Sequence, residues 1–174
     1  MEGEARYYTT APLTPSALLD ADQLVPWPYG GFALEGMDSF GGWIMSSVDI
    51  LRLVTAMEGR RGKALLSKDM LAQMRTRPAA PLSQKESIYY GLGVYVRQFG
   101  NGILTWRHFG YLPGTISYVV GSPLTSFSGA ILVNGSTATD AESQAIGAVL
   151  GQALFEGAGE IKRWPSEDLF DRFP

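Results

Sequence analysis

Residues 106–120 read WRHFGYLPGTISYVV, two apolar runs with a proline-glycine pair between them. Proline presets the first φ of a type II turn and glycine accepts the positive second one, so Pro113-Gly114 predicts a sharp reversal. Before it, Leu104, Trp106 and His108 alternate onto one face; after it, TISYVV is rich in β-branched and aromatic residues. The stretch therefore predicts two antiparallel strands joined at residues 113 and 114.

Upstream, YYGLGVYVRQF (residues 89–99) sets Leu92, Val94 and Val96 against Gly91, Gly93, Tyr95 and Arg97, and Asn101-Gly102 offers a hairpin turn into ILTWRHF. Downstream, GAILVN reads as a further strand, and Asn134-Gly135-Ser136 as a turn rather than a glycosylation acceptor. No residue from Phe109 to Thr139 is charged, long enough to raise a membrane span. Pro113, Pro123, several glycines and many hydroxyl residues break the run, so it reads as buried strands instead. About four antiparallel strands are expected over residues 88–136.

Helices flank this sheet. In SSVDILRLVTAM, Ser46 as N-cap with Asp49 three residues on resembles a capping box, and Ile50, Leu53, Val54 and Met57 recur at helical spacing. In LLSKDMLAQM, Ser67 caps a second short helix, with Leu66 placed to staple against Leu71. In TDAESQAIGAVLGQALFEG, Thr139 and Glu142 form a capping box, Ile146, Val149, Leu150, Ala153 and Leu154 share a face, and Gly157 falls near the C-cap. Gly147 and Gly151 lower helix propensity and allow close approach to a sheet.

The expected organisation is one incomplete domain over residues 1–174: an irregular segment at 1–45, short helices at 46–76, strands at 88–136 and a helix at 139–157. The fold class is α+β, an antiparallel sheet with two short helices before it and a C-terminal helix packed on it. So small a sheet leaves an edge or a face wanting a partner.

Composition narrows the chemistry. Fourteen basic and 17 acidic residues give a net charge of −3 over 174 residues, with no basic block for a phosphate backbone or an anionic bilayer. Neither nucleic acid nor a membrane is an expected partner. There is no cysteine and one histidine, which removes disulfides, thiolate sites and imidazole clusters. No metal and no cofactor is expected. MEGEARYYTT lacks the apolar core of a secretory signal, so a cytoplasmic location is the default and the compartment stays unknown.

Acyl transfer requires a nucleophile, a group that activates it and donors for the oxyanion. No G-x-S-x-G elbow is present, and no serine has a lysine three residues later. Ser46, Ser47 and Ser67 read as helix caps. Taken by itself, His108 beside Trp106 reads more readily as a packing residue than as a catalyst.

GGWIMSSVDILRLVTAM, LLSKDMLAQM, YYGLGVYVR, HFGYLPGT and AILVNGS follow one another in an order and spacing similar to the C-terminal half of the serine β-lactamase and penicillin-binding-protein-like family. The blocks look most like those of class C-related esterases, D-aminopeptidases and β-lactamase-related proteins. The resemblance runs from about Gly41 to Gly135. It implies a partial β-lactamase/transpeptidase-like fold and a serine hydrolase whose S-x-x-K nucleophile motif is absent from this chain. It also implies that His108-Phe109-Gly110 is the H-x-G strand. His108 would then face the cleft, Gly110 would keep the strand open to substrate, and the Tyr111 backbone N–H would be one oxyanion donor. Histidine stands where β-lactamases carry lysine, and Phe109 where they carry threonine. Ester or peptide chemistry is implied ahead of lactam hydrolysis.

The chain alone is accordingly expected to be inactive. Its expected partners are an N-terminal half bearing S-x-x-K and, once completed, a small-molecule acyl substrate. The alternative is a non-catalytic remnant of the fold, serving as a binding or self-association module, the self-association running through an exposed sheet edge.

Overall fold

The structure is a computed structural model that describes residues 3–20, 22–37, 40–82, 87–98, 100, 102 and 104–173, the side chain of Leu104 apart. Its elements run β1 (Tyr8–Thr9), β2 (Thr14–Pro15), β3 (Leu24–Val25), α1 (Ser47–Met57), α2 (Lys68–Met74), β4 (Ile88–Tyr90), β5 (Tyr95–Gln98), β6 (Leu104–Leu112), β7 (Thr115–Ser122), β8 (Phe127–Val133), β9 (Gly135–Ser136), α3 (Asp140–Glu160) and α4 (Leu169–Arg172). Two short 3-10 turns, Trp27–Tyr29 and Leu34–Met37, lie between β3 and α1. The main sheet has five strands in the order β4-β5-β6-β7-β8. No helix among the described residues is long and apolar enough to cross a membrane.

The fifth strand arises because residues 88–98, which alternate like one strand, fold back on themselves. Gly91 N–H donates to the Val94 carbonyl at 2.8 Å, Gly93 takes a φ of +78°, and Tyr89 pairs with Val96. A left-handed residue costs a glycine little, so the Gly-x-Gly run turns where periodicity predicts continuation. Leu92 consequently sits on the turn, 68 % exposed, instead of joining Val94 and Val96 inside. Of the expected Asn101-Gly102 turn, Asn101 lies outside the described residues, as does Ile103 of the strand that follows.

The chain packs as two compact units. One comprises Ser47–His108, Val119–Ala130 and Arg163–Pro174. Its core is Val54, Tyr89, Val94, Val96 and Trp106, with Ile50, Met74 and Val119 against it. Each such side chain taken out of water contributes about 1.5–3 kcal/mol. The Ser67 hydroxyl accepts from Met70 N–H and caps α2 as expected. Trp106 donates its indole N–H to Glu58 at 2.8 Å, and Gly121 leaves room for the Trp106 ring.

The other unit comprises Met1–Ser46, Phe109–Tyr118 and Ile131–Lys162. Thr139 caps α3: its hydroxyl accepts from Glu142 N–H at 3.3 Å and donates to the Glu142 carboxylate at 2.9 Å. The expected apolar face is buried only in part: Ile146, Leu150 and Leu154 are half-buried and Ala153 is exposed. Ser143, Gly147 and Gly151 are buried, while Val149 is 66 % exposed. A Cβ on Gly147 would run into the Phe109 ring and one on Gly151 would stand 2.6 Å from Tyr118 Cζ. The aromatic rings of the sheet fill the interface, so the helix meets them with its bare stripe. Gly157 lies inside α3, which continues to Glu160.

The same unit ties in the opening segment, expected to be irregular. β1 pairs in parallel with β9, Tyr8 with Gly135 and Thr9 with Ser136, and β2 pairs with β3. Asn134-Gly135-Ser136 is thus the entry to a strand and not a turn. A two-residue pairing between segments so distant in sequence leaves no local periodicity to read. Gly114 has the φ of +87° that a type II turn needs, and a Cβ there would stand 2.7 Å from both Pro28 Cγ and Tyr7 Cβ. The Gly114 N–H donates to the buried Ser136 hydroxyl at 2.8 Å.

Candidate functional site

His108, Gly110 and Tyr111 all lie on β6, so their order along the strand follows from the turn at Pro113-Gly114 that aligns it with β7. Alternation puts His108 on the face of Trp106. The ladder fixes the backbone as well. Gly91 bonds Val94 and Gln98 N–H bonds the Ser87 carbonyl, so Val94, Val96 and Gln98 turn their backbone groups to β4. Tyr95 and Arg97 turn theirs to β6, where they oppose Arg107 and Thr105. Along β6 the same alternation gives Phe109 and Tyr111 backbone groups directed to that side. The β5 pairing ends at Arg107, so the Tyr111 N–H belongs to the stretch of edge past it.

His108 Nδ1 lies 2.8 Å from the Gly93 carbonyl oxygen. A carbonyl only accepts, so Nδ1 carries a proton, and in the neutral tautomer that this selects Nε2 is the acceptor. Nε2 bonds no described residue. The histidine is half-buried, with its stem beside Trp106, and the left-handed Gly93 sets the carbonyl that orients it. The sequence reading missed this orienting group. Two glycines flanking Leu92 were the available signal for a turn there.

Gly110 has a second reason to be glycine. A Cβ at this position would collide with the Ser117 hydroxyl on β7, so the strands meet here through a bare position and a small polar side chain. Phe109 points the other way, its ring against Gly147 of α3. The Tyr111 phenol oxygen is buried and without a hydrogen-bond partner among the described residues. What Tyr111 can offer a ligand is its backbone N–H.

The perturbed ionisable groups are elsewhere. Burial first, and then the 2.7 Å hydrogen bond to Glu4, push the Tyr7 phenol up to about 12. Tyr7 and Tyr29 line a shallow groove of about 610 Å³ with Arg6, Pro26 and Pro28. The Phe170 N–H, and then Arg61, hold the Asp168 carboxyl below its ordinary value. Among the described residues no group of three or more acidic or histidine side chains is placed to hold a metal ion. Of the serines, Ser67 is a cap, Ser136 bonds Gly114, and Ser143 bonds the Thr137 hydroxyl at 2.8 Å.

Comparison with known proteins gives one family and a set of similar structures. The Beta-lactamase family model matches residues 1–153. D-amino acid amidase from Ochrobactrum anthropi SV3, solved with D-phenylalanine, is 20 % identical over 87 % of this chain and 45 % of its own, with a TM-score of 0.53. Penicillin binding protein from Bacillus halodurans is 21 % identical over 60 % of this chain and 31 % of its own, TM-score 0.44. D-stereospecific amidohydrolase from a Streptomyces species is 21 % identical over 82 % and 38 %, TM-score 0.40. The chain spans less than half the length of each of these structures. No curated protein matches it.

Proposed function

This chain belongs to the beta-lactamase family, and on that premise we propose that it is the C-terminal portion of a serine hydrolase acting on ester, amide or peptide bonds. In this reading it is an incomplete domain that supplies one wall of the cleft, the His108-Phe109-Gly110 strand and the Tyr111 N–H, to a serine carried outside the chain on an S-x-x-K motif. The observation that carries the reading is the half-buried His108, its Nδ1–H occupied by the Gly93 carbonyl and its Nε2 left to accept.

The chemistry is acyl transfer. The serine oxygen attacks the substrate carbonyl, whose oxygen takes the negative charge and accepts hydrogen bonds from Tyr111 N–H and the nucleophile's own N–H. The serine proton passes through the base of that motif to the departing amine or alcohol as the C–N or C–O bond breaks. Water then cleaves the acyl-serine ester and restores the hydroxyl. His108 Nε2 faces this cleft as a hydrogen-bond acceptor for substrate. The D-amino acid amidase suggests amides of amino acids as the first substrates to try.

The test is reconstitution. The isolated chain should neither take a fluorophosphonate label nor turn over p-nitrophenyl butyrate, and both should appear on adding an N-terminal segment that carries S-x-x-K. Stoichiometric labelling of a serine within this chain would overturn the claim that the nucleophile lies elsewhere.

A second reading is a non-catalytic remnant that associates with itself through the outer strands β4 and β8. Apart from those strands, exposed apolar side chains before α1 favour self-association, with Trp43 78 % and Phe40 64 % exposed, since exposed apolar surface marks an interaction site. Sedimentation of the isolated chain as a folded monomer at high concentration counts against it.

A further inference from the structure

Residues 161–173 lie beyond the stretch matched to the family. Asp168 and Phe170 are half-buried and the other residues of this tail are exposed. The tail from Arg163 onward belongs to the same compact unit as α1, and α4 within it meets α1 and the loop that follows.

Two guanidiniums hold the tail. Arg52 of α1 is set by a 2.8 Å bond to Asp49, three residues back on the same helix, and its other terminal nitrogen donates to the Phe170 carbonyl at 2.6 Å. The guanidinium carbons of Arg61 and Arg52 stand 4.6 and 5.5 Å from the centre of the Phe170 ring. Arg61 also pairs with Asp168 and, at 3.5 Å, with Asp171. Asp168 accepts from the Phe170 N–H at 2.9 Å, which fixes the ring relative to the carboxylate before it. A guanidinium attracts both an aromatic face and a carboxylate, so the run Asp-Leu-Phe-Asp matches the arginine pair on both counts.

The same contacts permit release. Ion pairs this open to solvent contribute little each and are screened by salt. α4 has four residues, too few to persist as a helix by itself, and residues 161–167 lead into it fully exposed. A segment with so little buried surface opens at low cost.

We infer that Arg52 and Arg61 form a binding site for an acidic-aromatic peptide, a phenylalanine with carboxylates two residues before it and one after, which the chain's own tail fills in cis and vacates for the same motif offered in trans. This is independent of the hydrolase reading above. The tethered tail competes at an effective concentration of about millimolar, so a peptide in trans has to reach that level to displace it.

Titration of the unlabelled peptide RWPSEDLFDRF, residues 163–173, into the 15N-labelled full chain tests this. Millimolar peptide should move the Leu169–Arg172 amides of the chain saturably to the positions of the free peptide, and the peptide carrying Phe170→Ala should not. Phe170→Ala in the chain removes the internal competitor, so the unaltered peptide should then bind about tenfold more tightly, read at the backbone amides of residues 52 and 61. In that background Arg61→Gln should weaken binding about tenfold, whereas Lys63→Gln, which removes an exposed charge two residues on, should leave it unchanged. Tail amides unmoved by millimolar peptide in the unmodified chain overturn the exchange. No saturable binding to the Phe170→Ala chain, or equal weakening by Arg61→Gln and Lys63→Gln, overturns the site.

Discussion

Replacing Glu58 by alanine should destabilise the unit built on α1, β4, β5 and Trp106 more than any single core truncation of similar size. Its side chain is only 6 % exposed, and it pairs with Arg75, itself 14 % exposed, at 2.6 Å. Arg60 closes on the other carboxylate oxygen outside hydrogen-bond geometry. The Trp106 indole N–H donates to Oε1 at 2.8 Å. Alanine would leave the guanidinium of Arg75 and the indole N–H facing each other without their acceptor. Breaking a buried pair from one side costs about 3–5 kcal/mol, because the surviving charge stays desolvated. Against a domain stability of about 5–15 kcal/mol this is a large fraction. With a urea m-value of about 2 kcal/mol per molar, the unfolding midpoint, read by Trp fluorescence and by circular dichroism, should fall by about 1.5–2.5 M at unchanged m. Trp106→Phe should lower it less, and the double variant should show about 0.5–3 kcal/mol of coupling, since both changes touch one hydrogen bond. A loss under about 1 kcal/mol for Glu58→Ala, the value of an exposed pair, would refute the reasoning and show that solvent reaches the cluster.

Four further outcomes follow from single positions. Gly151→Ala should destabilise by about 1–2 kcal/mol, because the overpacking against Tyr118 outweighs the gain in helix propensity. Gly157→Ala, in the same helix with nothing within 4 Å of a Cβ, should stabilise by about 0.5–1 kcal/mol; urea midpoints check both. Asp168 has its carboxyl lowered by the Phe170 N–H and by Arg61, so its contribution is present above the ordinary carboxylate pKa and lost as the pH falls through its folded value. The protection of the Phe170 amide, its exchange rate set against the intrinsic rate at the same pH, should therefore fall on acidification below about pH 4, and Asp168→Ala should show that loss at neutral pH. Tyr7, pushed up to about 12, should be a late phenol in an alkaline absorbance titration. Its stabilising effect is complete below the ordinary tyrosine pKa and is lost as the pH rises to about 12; Glu4→Gln should move the titration earlier.

Local chemistry carried much of this fold. Ser67 and Thr139 accept from the backbone N–H three residues on, and Pro113-Gly114 turns with the φ that its two residues demand, because caps and tight turns are settled within four residues of chain. Residues 88–98 misled for a physical reason: alternation records which side chains can face inward, and the hairpin at Leu92-Gly93 preserves it for Val94 and Val96 on the returning strand. The apolar positions of α3 misled only at Val149 and Ala153, which are exposed. Hydrophobicity identifies what gains from burial, but Gly147 and Gly151 are buried because the Phe109 and Tyr118 rings need the space.

For the candidate site, the sequence by itself determined the H-x-G order on a strand before a proline-glycine turn, the family it resembles and the lack of S-x-x-K, since each is a matter of residue identity and spacing. The proton on His108 Nδ1, the fit of Ser117 opposite Gly110 and the ion cluster around Glu58 were decided only by the tertiary structure. Each depends on a carbonyl, a hydroxyl or a guanidinium brought from 7 to 17 residues away or more, and hydrogen bonds of that kind select for distance and direction, which no local pattern of residue types records.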